Sequence, residues 1–175
     1  MSNNVACRTC PLFTINEIES EENIIDFMNR LKKKYNYLYS KKMDYYGQKV
    51  VLNNSINIYG EKEGLDHIMT KRNHYNIYEP CQERIERAHW VELMFQLPCS
   101  NCQNFKKHID KTHKISDKNN KRYNLCCSRN LYMITVEYIY KRNELLIISA
   151  YKIKKNKYLQ LFGSNNGKGT PNGCP

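Results

Sequence analysis

Residues 131–153, LYMITVEYIYKRNELLIISAYKI, decide the architecture, because two long apolar runs flank a short polar break. Residues 131–140 alternate with the period of a strand, Lys141–Glu144 read as a turn, and residues 145–153 read as a second long strand. Two strands joined this closely lie antiparallel. Residues 123–127, YNLCC, add a candidate strand before them, and residues 157–162 a short edge strand after them. The result is a C-terminal antiparallel meander.

Upstream the period changes. From Ser20, a capping residue followed by Glu21 and Glu22, residues Ile24, Met28, Leu31, Tyr35 and Leu38 fall on one helical stripe. Lys32, Lys33 and Lys34 come near its end, where positive charge suits the helix dipole. Residues 49–59, KVVLNNSINIY, predict a strand or a hairpin around Asn53 and Asn54. A second helix is predicted over residues 82–97, with Trp90, Leu93, Met94 and Leu97 as its apolar stripe and Pro98 as its stop. His89 lies beside that stripe and reads as a core or boundary histidine. Residues 103–122 hold seven Lys or Arg and read as a mobile loop with a short helix, an arm for gripping phosphate. Helices first and a sheet after them predict an α+β fold, N-terminal helices packed on a C-terminal antiparallel β-sheet. The expected division is a segment and helix over 1–45, a core over 46–162 and a disordered tail over 163–175. That tail mimics a phosphate loop, but Lys168 is followed by Gly169 and no helix has room to follow, so nucleotide triphosphate binding is rejected.

The chain of 175 residues carries a net charge of +11. Residues 1–30 contribute −3, so the remainder carries +14 and holds any face for an acidic partner. No apolar run approaches the ~20 residues of a membrane span, and no apolar signal core opens the chain, so a cytoplasmic protein with no membrane partner is expected.

Chemistry concentrates in residues 64–75, GLDHIMTKRNHY. A helix begun after Gly64 would put His67, Lys71 and His74 on one face at i, i+4 and i+7. Two imidazoles beside Lys71 and Arg72 are suited to cleaving an RNA phosphodiester without a metal. The plain alternative is a solvated basic helix. Eight cysteines include two CxxC pairs, Cys7–Cys10 and Cys99–Cys102. Paired CxxC motifs form four-thiolate zinc sites, so a structural zinc is allowed, closed by tertiary contact across a long gap. Other combinations draw His108, His113, Cys126 or Cys127 around Cys99 and Cys102, or leave the thiols as packing.

Three pieces in this order, GLDHIMTKRNHY, ERIERAHWVELMFQLP and LLIISAYKI, resemble the barnase/EndoU/colicin/RelE-like ribonuclease superfamily, in its phage- and toxin-associated branch. The likeness covers residues 49–154. The long basic insert and the cysteines depart from the family pattern. The resemblance implies that fold and a metal-independent endoribonuclease, in which the ribose 2′-hydroxyl attacks the adjacent phosphorus. No catalytic cofactor is then required. His67 or His74 would take the 2′-proton and the other would protonate the leaving oxygen. Arg72, with Lys71 or Arg122, would stabilise charge on the phosphate oxygens. Ser149 and Tyr151, two apart on one strand, would bind phosphate or stack on a base. Tyr132, Tyr138 and Tyr140 share one parity and would extend the stacking face. Further RNA contacts are expected from Arg84, Arg87, Lys106 and Lys107 on grounds of charge. The partners are RNA and, for a toxin, an immunity or antitoxin protein. Two rivals use the same residues: a zinc-stabilised nucleic-acid-binding or adaptor protein without chemistry, and an antagonist of a host nucleoprotein complex.

Overall fold

Side-chain caps and turns set the element boundaries of the computed structural model, which describes residues 10–52, 64–96, 102–111 and 118–163. Helix α1 (Ile24–Tyr35) starts later than the Ser20 cap predicts, because Asn23 Oδ1 accepts from the N–H groups of Ile25 at 2.9 Å and Asp26 at 3.0 Å. Lys32, Lys33 and Lys34 occupy its last turn as expected, and Phe27, Leu31 and Tyr35 form its buried stripe. A 3₁₀ turn follows and buries Leu38.

The next pair of strands, β1 (Met43–Tyr45) and β2 (Gln48–Leu52), is a hairpin whose two-residue loop puts Tyr46 at φ 52 and Gly47 at φ 78. Two left-handed residues match the twist of the flanking strands, and glycine takes that conformation without strain. The turn therefore precedes the strand read at 49–59, while Asn53 and Asn54 lie outside the described residues. After β2 come helix α2 (Leu65–Met69), a small hairpin of β3 (Thr70–Arg72) and β4 (Tyr78–Pro80), and two short helices, α3 (Gln82–Ile85) and α4 (Trp90–Phe95). The single helix predicted over 82–97 is broken by a turn at residues 86–89, which tethers the chain to the N-terminal segment: Asn16 donates to the Glu86 carbonyl. Leu97 and Pro98 lie outside the described residues.

The C-terminal half supplies β5 (Phe105–Asp110), β6 (Lys121–Cys127), β7 (Tyr132–Ile139), β8 (Glu144–Lys152) and α5 (Lys155–Phe162). The meander β6–β7–β8 is as predicted. Three expectations are corrected. Much of the proposed loop at 103–122 is strand: β5 pairs antiparallel with β6 along its whole length, held by backbone bonds that its charged side chains do not advertise. Its lysines suit an edge strand, where charge discourages pairing with another chain. Residues 155–162 form a helix rather than an edge strand, because Tyr158, Leu161 and Phe162 at i, i+3 and i+4 pack on Cys126, Met133 and Ile153. Finally, β2 pairs parallel with β8, so the curled six-stranded sheet, ordered β1-β2-β8-β7-β6-β5, is mixed. The class is α+β, as expected.

The two faces of the sheet are covered unequally. Helices α1 to α4 share one buried cluster with Val50, Leu125, Ile134, Val136, Leu145 and Ile147, whereas α5 covers a smaller patch on the opposite face. Tyr132, expected in a stacking face, is 1% exposed and belongs to the large cluster. Among the described residues no helix is long and apolar enough to cross a membrane.

Candidate functional site

The strand β8 carries a local irregularity that sets the site. Val136 pairs with Ile147 and Thr135 with Ser149, so Ile148 is an extra residue opposite the β7 strand. A bulge of this kind reverses the in–out parity of the residues beyond it. Leu145 and Ile147 face the large core before it, and Ala150 faces that core after it. Ser149 and Tyr151 are thereby turned onto the α5 face, where Tyr151 packs against the smaller cluster. Without the bulge both would point into the large core.

Strand pairing then aligns His108, Asn124, Thr135 and Ser149 in one row across β5, β6, β7 and β8. The Thr135 hydroxyl donates to Asn124 Oδ1 at 2.9 Å. His108 Nδ1 is buried without a hydrogen-bond partner, and its ring meets Phe162 edge-on at 5.8 Å. The sequence reading missed Asn124 and Thr135, because only the register and the bulge bring them beside Ser149.

At the edge of the site, the helix predicted to carry both histidines ends at Met69. Thr70–Arg72 turn extended, and His74 lies in the turn beyond them. His67, Lys71 and His74 therefore share no helical face, which corrects that expectation. Thr70 ends the helix with its hydroxyl on the Asp66 carbonyl at 2.6 Å, and Asn73 shapes the turn by accepting from the N–H groups of Tyr75 and Ile77. Tyr78 gathers the chemistry instead. Its ring meets the His67 ring edge-on at 5.4 Å and lies under the Arg72 guanidinium at 5.0 Å. Lys71, Arg72 and His74 line a concavity of about 540 Å³ with Asn73, Glu79, Pro80 and Cys81. The His74 ring lies 3.8 Å from that of Tyr75.

Arg84 joins this edge to the sheet. Its Nη1 donates to the Thr70 carbonyl at 2.5 Å and to the His67 carbonyl at 3.4 Å, and its guanidinium stacks over the Tyr151 ring at 4.7 Å. The element bearing His67 and the strand bearing Tyr151 therefore meet through one cation. Among the described residues no carboxylate forms an ion pair with Arg84, unlike Arg87 and Arg122. Arg87 is held by the Glu83 carbonyl and Glu86, and lies over Trp90. Arg122 donates to Glu137 at 2.8 Å, and its Nε is buried without a partner. Lys106 and Lys107 are exposed on β5, with Lys107 over the Tyr123 ring at 4.2 Å.

His89 stacks on Tyr35 and takes Asn16 at 2.9 Å; burial lowers its pKa, as befits the boundary histidine expected. Cys10 is buried, and the Asn130 amide donates to its sulfur at 3.4 Å and to that of Cys127 at 3.8 Å. Burial raises the Cys127 thiol and pushes Cys126, on the other face, up to about 12. Cys102 accepts from Asn104 at 3.7 Å. Cys7, Cys99 and His113 lie outside the described residues, and among the described residues no three metal-ligating side chains gather.

No family model, curated protein or solved structure was found to match this chain.

Proposed function

We propose that this protein is a metal-independent endoribonuclease of the barnase/EndoU/colicin/RelE-like kind, acting as a toxin or as a phage or defence effector. The observation that carries the reading is Arg84, a guanidinium with no carboxylate partner among the described residues, bound to the carbonyls of Thr70 and His67 and stacked on Tyr151. It puts a fixed positive charge between an imidazole-bearing helix end and a hydroxyl-bearing strand. A phosphodiester seated there would meet the donors that a developing phosphorane charge requires.

In the proposed reaction one of the two histidines removes the 2′-proton. The 2′-oxygen forms its bond to phosphorus as the bond from phosphorus to the 5′-oxygen breaks, and the other histidine protonates that leaving oxygen. The products are a 2′,3′-cyclic phosphate and a 5′-hydroxyl. Arg84, rather than Arg122, is assigned to the non-bridging oxygens, with Arg72 beside it. Ser149 and Tyr151 hold the flanking nucleotide.

Cleavage of single-stranded RNA should persist in EDTA. His67→Ala should lower the rate by about 10²–10⁴ while RNA affinity stays within a few-fold; an unchanged rate would remove His67 from the chemistry. An immunity or antitoxin protein would act by covering Arg84 and Tyr151.

A second reading, a zinc-stabilised binder without chemistry, draws on the placement of Cys10 against Cys127 through Asn130. Purified protein holding about one zinc per chain and leaving RNA intact would favour it over the nuclease.

A further inference from the structure

A second hollow lies where β8 runs into α5. Its volume is about 530 Å³, in the range of small-ligand clefts, and its walls are Tyr151, Lys152, Ile153, Lys154, Asn156, Lys157 and Gln160. Among the described residues, Glu83 is the one acid within ion-pair distance of these lysines, 3.6 Å from Lys152. Lys157 meets the neutral Gln160, at 3.3 Å.

These charges do nothing for the helix they border. Lys154 is the N-cap of α5 and provides no side-chain cap, and the first turn holds no acidic residue. Lysine at that end opposes the helix dipole, which favours negative charge there. Helix stability therefore gives no reason for the cluster. A bound anion would relieve the dipole mismatch.

Tyr151 is common to this hollow and to the Arg84 cluster. Arg84 in turn holds Thr70 at the head of the strand whose Lys71 and Arg72 line the first hollow. The two concavities are thus linked through Arg84, which touches the Tyr151 ring of one and the strand that lines the other. That combination of stacking surface and positive charge suits a single strand of nucleic acid.

We infer that the hollow of Tyr151, Lys152, Lys154 and Lys157 is a subsite for the phosphodiester backbone of single-stranded RNA, seating the nucleotides next to the one held at Arg84. The inference deepens the nuclease reading by naming where the substrate continues, and its test does not need cleavage.

The probe is a fluorescently labelled oligouridine with 2′-O-methyl sugars, which lacks the attacking hydroxyl. Wild type, K154Q/K157Q and K154R/K157R are titrated by anisotropy across a salt series. Loss of two phosphate contacts on a single strand should flatten the slope of log affinity against log salt by about 1.4. K154Q/K157Q should do so and bind at least about tenfold more weakly, and the arginine pair should restore wild-type behaviour. An unchanged slope in K154Q/K157Q overturns the subsite, as does lysine-dependent binding to phosphatidylserine vesicles with none to the oligonucleotide. Natural RNA left intact by wild type, together with the lysine-dependent slope, would instead sink the nuclease reading and keep the subsite.

Discussion

Arg122 and Arg84 are both half-buried, yet they are held in opposite ways. Arg122 lies in the strand pairing of β6 with β7 and is matched by the Glu137 carboxylate at 2.8 Å. Arg84 is matched by backbone carbonyls and an aromatic ring. Carbonyls fix a guanidinium in place without cancelling its charge, so Arg84 keeps its pull on an anion and Arg122 spends its own internally. Histidines repeat the contrast. His89 is enclosed by Asn16, Thr14 and Tyr35, whereas the His67 ring meets Tyr78, whose ring also lies under the Arg72 guanidinium. Proximity to the sheet therefore does not decide whether a cation's charge is matched by a carboxylate; the kind of partner does.

Exchange of the two arginines should break the comparison if it is wrong. Arg84→Gln should lower RNA cleavage by about 10²-fold, the scale of one lost transition-state donor. Arg122→Gln should leave the rate alone and cost about 1–3 kcal/mol of stability, since Glu137 would lose its charged partner. Equal rates for the two variants would erase the distinction.

A smaller effect is expected on the structural side, at Glu92. This carboxylate is 9% exposed, accepts from Tyr37 at 2.6 Å, pairs with Lys41 and takes Gln96 at 3.1 Å. Burial would raise its pKa, but the donors outweigh burial and hold it below the usual range. Glu92→Gln should cost about 1–2 kcal/mol in urea unfolding without altering RNA affinity. A depressed carboxylate stabilises the fold above its unfolded pKa and loses that contribution as pH falls through the folded value. Wild type should accordingly lose stability below about pH 4.5, and the variant less so.

The smallest effect belongs to His89. Its pKa is lowered by burial, so the unfolded chain binds the proton more readily and stability falls as pH drops below about 6.5. The Tm of wild type should decline between pH 7.5 and 5.5, and His89→Gln should flatten that decline. A decline of the same size in the variant would show that His89 is not the group responsible.

Much of the molecule is set by local pattern. The stripe of α1, the meander of β6, β7 and β8, the boundary role of His89 and the α+β class were legible because period and apolar spacing carry them. Residues 157–162 misled because six residues of mixed character fit a strand or a helix until Cys126 and Met133 offer a surface to cover. Residues 105–110 misled because an edge strand is held by its partner's backbone, which leaves its side chains free to be charged.

The sequence alone determined an inventory: a basic chain with histidines and cations in residues 64–75 and hydroxyl groups in residues 149–151. Tertiary structure decided which of these meet. One extra residue at Ile148 turned Ser149 and Tyr151 out of the core, the end of α2 at Met69 separated His67 from His74, and Arg84 was drawn across to Tyr151. The reason is physical. Side-chain period is a property of a single element, whereas bulges, strand register and cation–ring contacts arise only between elements that lie far apart along the chain.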